Sequence, residues 1–153
     1  MSKTKIFFDT NVLVYAHDES STYHQDSALL LTRALAGKVK GVVAEQNIIE
    51  LYRILTNSVA MSNPLTSPQA KYLLETTYLS GSFEIIYPTR ATIDKVLQLA
   101  IEKNIVSAKI FDIRIAALIT DTNIDYFATY NINDFQNISG LNPLTPKQIL
   151  AET

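Results

Sequence analysis

Cysteine is absent from the 153 residues, which excludes disulfides and thiolate-bound metals and suits a reducing cytosol. No apolar run is long enough to span a bilayer. Met1-Ser2-Lys3-Thr4-Lys5 leads into only Ile6-Phe7-Phe8, too short for the core of an export signal, so the expectation is a cytoplasmic chain without membrane attachment. Charge of one sign is also lacking. Thirteen Lys and Arg against 15 Asp and Glu leave a net charge of −2, which argues against a broad basic face for duplex nucleic acid. A local groove remains open to it, because an acidic site subtracts from the total. There is no internal repeat and no low-complexity tract, and the length suits one domain over residues 1–153. His17, Asp18, His24 and Asp26 lack tight ligand spacing, so they are read as a surface loop rather than a zinc site.

The chain does have a hydrophobic share of 47%, ample for a core. Lys5 to Phe8 reads as a buried central strand ending at Asp9, followed by a short helix through Val12–Ala16. Ser21 or Thr22 caps a second helix with Ala28, Leu31 and Leu35 on one stripe. Gly37 and Gly41 bracket a turn before a strand at Gly41-Val42-Val43. A helix follows from Glu45 to Asn57, with Ile48, Leu51, Tyr52 and Leu55 at helical spacing. Ser58 to Pro68 is a surface loop, and a helix runs from about Gln69 to Leu79. Phe83–Tyr87 is a third strand. Thr89 caps a helix through Ile93, Val96, Leu97 and Ile101. Ile110–Thr120 is apolar almost all round, as an enclosed helix would be. Tyr126-Phe127-Ala128 is a fourth strand, and Leu144 starts a short edge strand. Strands alternating with helices predict an α/β fold with a parallel sheet, whose ligands bind beyond the carboxyl ends of the strands.

That rule gives meaning to the acidic residues. Asp9 follows the first strand, where it is either a helix cap or a metal ligand. Asp112 lies in the first turn of the most apolar helix, where it either meets the helix dipole or shares a cation. Glu50 lies roughly opposite the apolar stripe of its helix, beside Asn47, Arg53 and Asn57, on a solvated face or a cleft wall. Thr129–Phe135 follows the fourth strand as a turn rich in Asn and Asp, in which Asn131 or Asp134 completes the set. Carboxylates gathered on one edge do not all stay charged easily without a cation. Hard oxygen ligands without cysteine or paired histidine favour Mg²⁺ or Mn²⁺ over zinc, and phosphodiester cleavage as the chemistry. Lys109 and Arg114 flank Asp112 and Arg53 lies near Glu50, where they either hold phosphates or are solvated charges. Tyr15, Tyr52 and Tyr130 border the cleft or are buried amphipathic rings.

Four segments, in this order, resemble the PIN-domain family and its VapC-type toxins over nearly the whole chain. They are Phe8–Ala16, Glu50–Thr56, Lys109–Ala117 and Ala128–Phe135. The resemblance implies a three-layer α/β/α sandwich around a central parallel sheet, with Asp9, Glu50 and Asp112 as core ligands of Mg²⁺ or Mn²⁺. It places the last acidic position within Asn131–Asp134, and Asp134 joins the other three as a catalytic candidate. Thr10, Asn11, Arg53, Lys109, Arg114 and Thr129 are expected to face the substrate. The implied activity is hydrolysis of single-stranded or looped RNA, leaving a 5′-phosphate and a 3′-hydroxyl. A small antitoxin protein and homodimerisation are implied as partners. Asn131 stands where many members have Asp, Ala44 where a Ser or Thr cap is common, and Arg114 where a small residue is common. Two other readings remain. One is an aspartyl phosphatase or phosphoacceptor domain with Asp9 as nucleophile, which Asn11, in the place of the expected second Asp, counts against. The other is a catalytically weak binding module of the same fold.

Overall fold

The computed structural model describes residues 2–153. Its centre is an all-parallel sheet of β1 (Lys5–Phe8), β2 (Lys40–Ala44), β3 (Phe83–Ile86), β4 (Tyr126–Ala128) and β5 (Pro143–Leu144). The order is β3-β2-β1-β4-β5. The chain therefore starts in the middle of its sheet, builds outward through β2 and β3, then crosses back to add β4 and β5. Between the strands run α1 (Thr10–His17), α2 (His24–Leu35), α3 (Glu45–Leu55), α4 (Ser67–Thr77), α5 (Arg90–Glu102) and α6 (Ile110–Thr120). The one-turn α7 (Ile132–Phe135) and then α8 (Pro146–Glu152) complete the chain.

The period-two alternation of a strand divides β1 between two cores. Ile6 and Phe8 pack with Val12, Leu13, Leu30, Leu51 and Ile149 on the face covered by α1 to α4 and α8. Phe7 packs with Val42, Phe127, Phe135 and the buried residues of α6 on the other. This is the three-layer α/β/α arrangement expected above. The continuous apolar character of α6 follows from its position: Ile113 and Ile115 to Ile119 are all buried between the sheet and its neighbours.

Local chemistry explains where boundaries differ from the expectation. The second helix starts at His24, not at Ser21 or Thr22, and its buried stripe is Ser27, Leu30, Leu31 and Ala34 rather than Ala28, Leu31 and Leu35. The shift arises because Ser27 counts as polar in a pattern, yet its hydroxyl is satisfied inside the protein by Tyr130. On α5 only Thr92 and Val96 are buried, and Ile93, Leu97 and Ile101 face outward. α4 starts at Ser67, inside the stretch read as loop. Thr66 and Gln69 exchange side-chain-to-backbone bonds of 2.9 and 3.3 Å, and Pro68 fits the first turn. Thr145, Pro146 and Gln148 repeat that device to start α8, a helix absent from the expectation.

Gly41 lies in the second strand as expected, and β2 extends one residue further on either side of residues 41–43. A Cβ at Gly41 would come within 2.4 Å of the Phe83 ring. That ring cannot swing away freely, because it packs edge-on against Phe8 at 5.4 Å and Tyr78 at 5.1 Å. Gly41→Ala is expected to destabilise the fold by about 1–3 kcal/mol through overpacking. Urea unfolding checks this: the midpoint should drop with the slope unchanged. An unmoved midpoint would mean that the ring yields.

Candidate metal centre

β1 and β4 are the neighbours at which the sheet reverses its direction of growth, so the crevice beyond their carboxyl ends is the expected ligand site. Asp9 and Thr129 are the residues that leave those two ends. The Thr129 hydroxyl donates to Asp9 Oδ2 at 2.7 Å, and the Thr10 amide donates to Asp9 Oδ1 at 2.8 Å. Asn11 Nδ2 reaches Oδ2 at 3.4 Å, while Asn11 Oδ1 accepts the Tyr130 amide at 3.3 Å. Asp9 thus caps α1 and is held in one orientation at the switch point. The two readings offered for it are compatible.

Glu50 is brought in by α3. Its Oε1 accepts from Gln46 Nε2 at 3.0 Å, one turn earlier, and from the Thr10 hydroxyl at 3.4 Å. The fully buried Asn47 donates to that Thr10 hydroxyl at 3.0 Å and accepts the Ala44 amide at 2.9 Å. Asn47 therefore supplies, from inside the helix, part of the capping that Ala44 cannot, and ties the start of α3 to the start of α1. Asn47 was legible only as a polar neighbour of Glu50. An Asn three residues into a helix with an alanine cap was the available signal.

The electrostatics report convergence. Burial pushes the Asp9 carboxyl up to about 6, and the negative charges of Glu50 and Asp112 add to it, against the hydrogen bonds from Thr129 and Thr10. Burial likewise raises Asp112, with the charges of Asp134 and Glu50 adding and Lys109 opposing. The α1, α3, α6 and α7 regions therefore each contribute a carboxylate to one shared field. Among the described residues no three His, Cys, Asp or Glu side chains form a preformed cage. The converging side chains offer oxygen donors alone, which suits a hard divalent cation.

The other predicted residues sort clearly. Thr10, Asn11 and Thr129 are occupied in orienting the carboxylates. Arg114 donates to Glu45 Oε1 at 2.9 Å and also to Gln46 Oε1, so it anchors the residue that orients Glu50. Lys109 is exposed next to Asp112 and Arg53 is exposed on α3. Asn131 is exposed, and its amide donates to the Thr129 hydroxyl at 3.0 Å, while Asp134 is the member of that turn whose charge acts on Asp112. Asn57 accepts the Val59 and Ala60 amides beyond α3. His17 departs from the surface-loop reading. It ends α1 with Nε2 2.6 Å from the buried Tyr78 hydroxyl, and burial, with the His24 charge adding, lowers it to about 4.

Known proteins are similar to this chain in sequence and in fold. The family model described as PIN domain matches residues 6–141. Ribonuclease VapC24 of Mycobacterium tuberculosis is 31% identical over 127 residues, covering 83% of this chain and 86% of that protein. Among solved structures, VapC20 of the same organism, a toxin that cleaves the sarcin-ricin loop, superposes with a TM-score of 0.65 at 12% identity, covering 90% of this chain and 99% of the other. VapBC-1 from nontypeable Haemophilus influenzae gives a TM-score of 0.64 at 15% identity over 94% and 99% of the two chains.

Proposed function

The chain belongs to the PIN-domain family, and on that premise we propose that it is an endoribonuclease, the toxin of a toxin–antitoxin pair, that hydrolyses RNA with the help of Mg²⁺ or Mn²⁺. The observation that carries this reading is Asp9 at the sheet's switch point, its carboxyl pushed up to about 6 by burial and by the facing charges of Glu50 and Asp112. A bound cation would relieve the cost of holding that carboxylate charged, and a cation held there lies where a bound phosphate would enter.

Asp9 and Asp112 are the residues to hold the ion directly, with Glu50 and Asp134 holding a second ion or orienting water. When bound, the ion supplies charge neutralisation at the phosphate and a more acidic water. The chain's own work is orientation. Thr129 and the Thr10 amide fix both oxygens of Asp9, Gln46 and the Thr10 hydroxyl fix Glu50, and Arg114 fixes Gln46. Exposed Lys109, beside Asp112, is the cation available to a backbone phosphate. The phosphoacceptor alternative lacks the acid expected two residues after Asp9, where Asn11 stands as a hydrogen-bonding brace.

A protein antitoxin is the partner supported by the similar solved complexes, one of them described as a toxin-antitoxin complex from Klebsiella pneumoniae. An arginine from it would make strong charge-assisted bonds among these carboxylates. Ile93, Leu97 and Ile101, exposed in one row on α5, support pairing with a second copy. No helix among the described residues is long and apolar enough to cross a membrane.

The decisive assay offers single-stranded and looped RNAs with Mg²⁺, with Mn²⁺ or with EDTA. Internal cleavage that leaves 5′-phosphate ends, stops in EDTA and returns with excess ion is the expected result. Cleavage undiminished by the chelator would overturn the metal reading.

A further inference from the structure

Three of the chain's eight tyrosines form a closed cluster beside the acidic centre. Tyr23 lies 4.6 Å from Tyr130 and 5.2 Å from Tyr15 between ring centroids, and Tyr15 lies 5.3 Å from Tyr130. The cluster is braced from below. The Tyr130 hydroxyl is 2.7 Å from Ser27 Oγ, which is fully buried, and donates to the Tyr23 carbonyl at 3.4 Å. Above, it is open: Tyr23 remains 50% exposed. The connection to the carboxylates is direct. The Tyr130 amide is held by Asn11, which also donates to Asp9, and Tyr130 is one wall of an open cavity of about 260 Å³ whose other lining residues run from Asn131 to Asp134.

We propose that Tyr23, backed by Tyr15 and Tyr130, is a stacking platform for one unpaired nucleobase next to the phosphate to be cleaved. The proposal rests on the ribonuclease reading above and adds a subsite to it. Two arguments carry it. The Tyr23 ring is packed along its back against Tyr15 and Tyr130 and half exposed to solvent. An aromatic face fixed in advance binds a base without the cost of ordering the side chain. Stacking of this kind needs a base that is out of a duplex, which accords with single-stranded or looped RNA as the substrate.

The test uses fluorescently labelled single-stranded RNA, followed by anisotropy with Ca²⁺ in place of the active ion, on the full chain. Tyr23→Ala is expected to weaken binding about tenfold, and Tyr23→Trp to stay within about twofold of the parent. A series of RNAs, each with one abasic nucleotide, separates stacking from general disturbance. The parent should lose affinity at one position in the series, and Tyr23→Ala should be indifferent to that same position. Thermal melts that match the parent establish that each variant folds. If Tyr23→Ala binds as tightly as the parent, or keeps the parent's abasic profile, the platform is overturned while the nuclease reading stands. Tyr23 would then be left as a protein-contacting or packing residue. A parent that neither binds nor cuts any RNA overturns both readings.

Discussion

Asp9→Asn is expected to lower RNA cleavage about a thousandfold and, in the absence of divalent ions, to make the protein more stable. The first effect follows from losing a ligand charge that supports several kcal/mol of transition-state neutralisation, about 4 kcal/mol corresponding to a thousandfold. The second follows from linkage. The Asp9 carboxyl titrates near 6 when folded against 3.8 in its ordinary state. The folded protein therefore holds the extra proton more tightly than the unfolded chain, and stability falls as pH rises from about 4 to 6. Above that window the charged carboxylate costs up to about 3 kcal/mol, which the amide removes. The amide also loses one of the two acceptors used by Thr129 and Thr10, so a net gain of about 1–2 kcal/mol is expected, or about 2–8 °C in Tm. Melts in EDTA should show the advantage at pH 7 and its shrinkage toward pH 4. Added Mg²⁺ or Mn²⁺ should raise the Tm of the parent and not of the variant. A variant that melts at or below the parent at pH 7 in EDTA would show that no charge strain resides at this position.

The largest effect on stability is expected from Phe127→Ala, at about 3–5 kcal/mol, or about 6–20 °C in Tm. Phe127 is fully buried in β4, edge-on to Phe7 at 5.7 Å and to Phe135 at 4.8 Å. Its removal leaves a cavity bounded by the central strand and by the short helix that carries Asp134. The damage should therefore reach the acidic centre. Cleavage measured well below the variant's Tm should fall, because among the described residues α7 has no other aromatic contact to locate it. Phe127→Leu, which keeps most of the volume, should cost under about 1.5 kcal/mol and preserve activity. Calorimetry and single-turnover cleavage on the two variants give the comparison. Equal stability of both would mean that the aromatic stack contributes little.

Much of the site was visible in one dimension because each part has a local signature. Asp9 ends an apolar run, Asp112 opens an apolar helix, and Asn131–Asp134 follow the last long strand pattern. Glu50 was less distinctive on its own, since a charge opposite an apolar stripe is what any solvated helix shows. Its standing came from the order of the four segments that resemble the PIN-domain family. Other features were hidden for a physical reason. Ser27, Asn47 and Thr129 are polar residues buried because a distant partner satisfies them, and no periodicity reports a partner 37, 103 or 120 residues away. The apolar row on α5 marked the helix but not its surroundings, and Ile93, Leu97 and Ile101 face outward.

The sequence alone therefore decided most of the elements, their α/β alternation and the oxygen-only character of the candidate ligands, since backbone propensity, apolar period and donor type are properties of neighbours along the chain. The tertiary structure decided the rest. It set β1 between β2 and β4 and brought Arg114 against Glu45 and Gln46. It also buried Asp9 beside other carboxylates, which raises its carboxyl, and it assembled three scattered tyrosines into one surface. Each of these depends on the direction in which a side chain points once the sheet closes around its first strand, and that direction exists only in three dimensions.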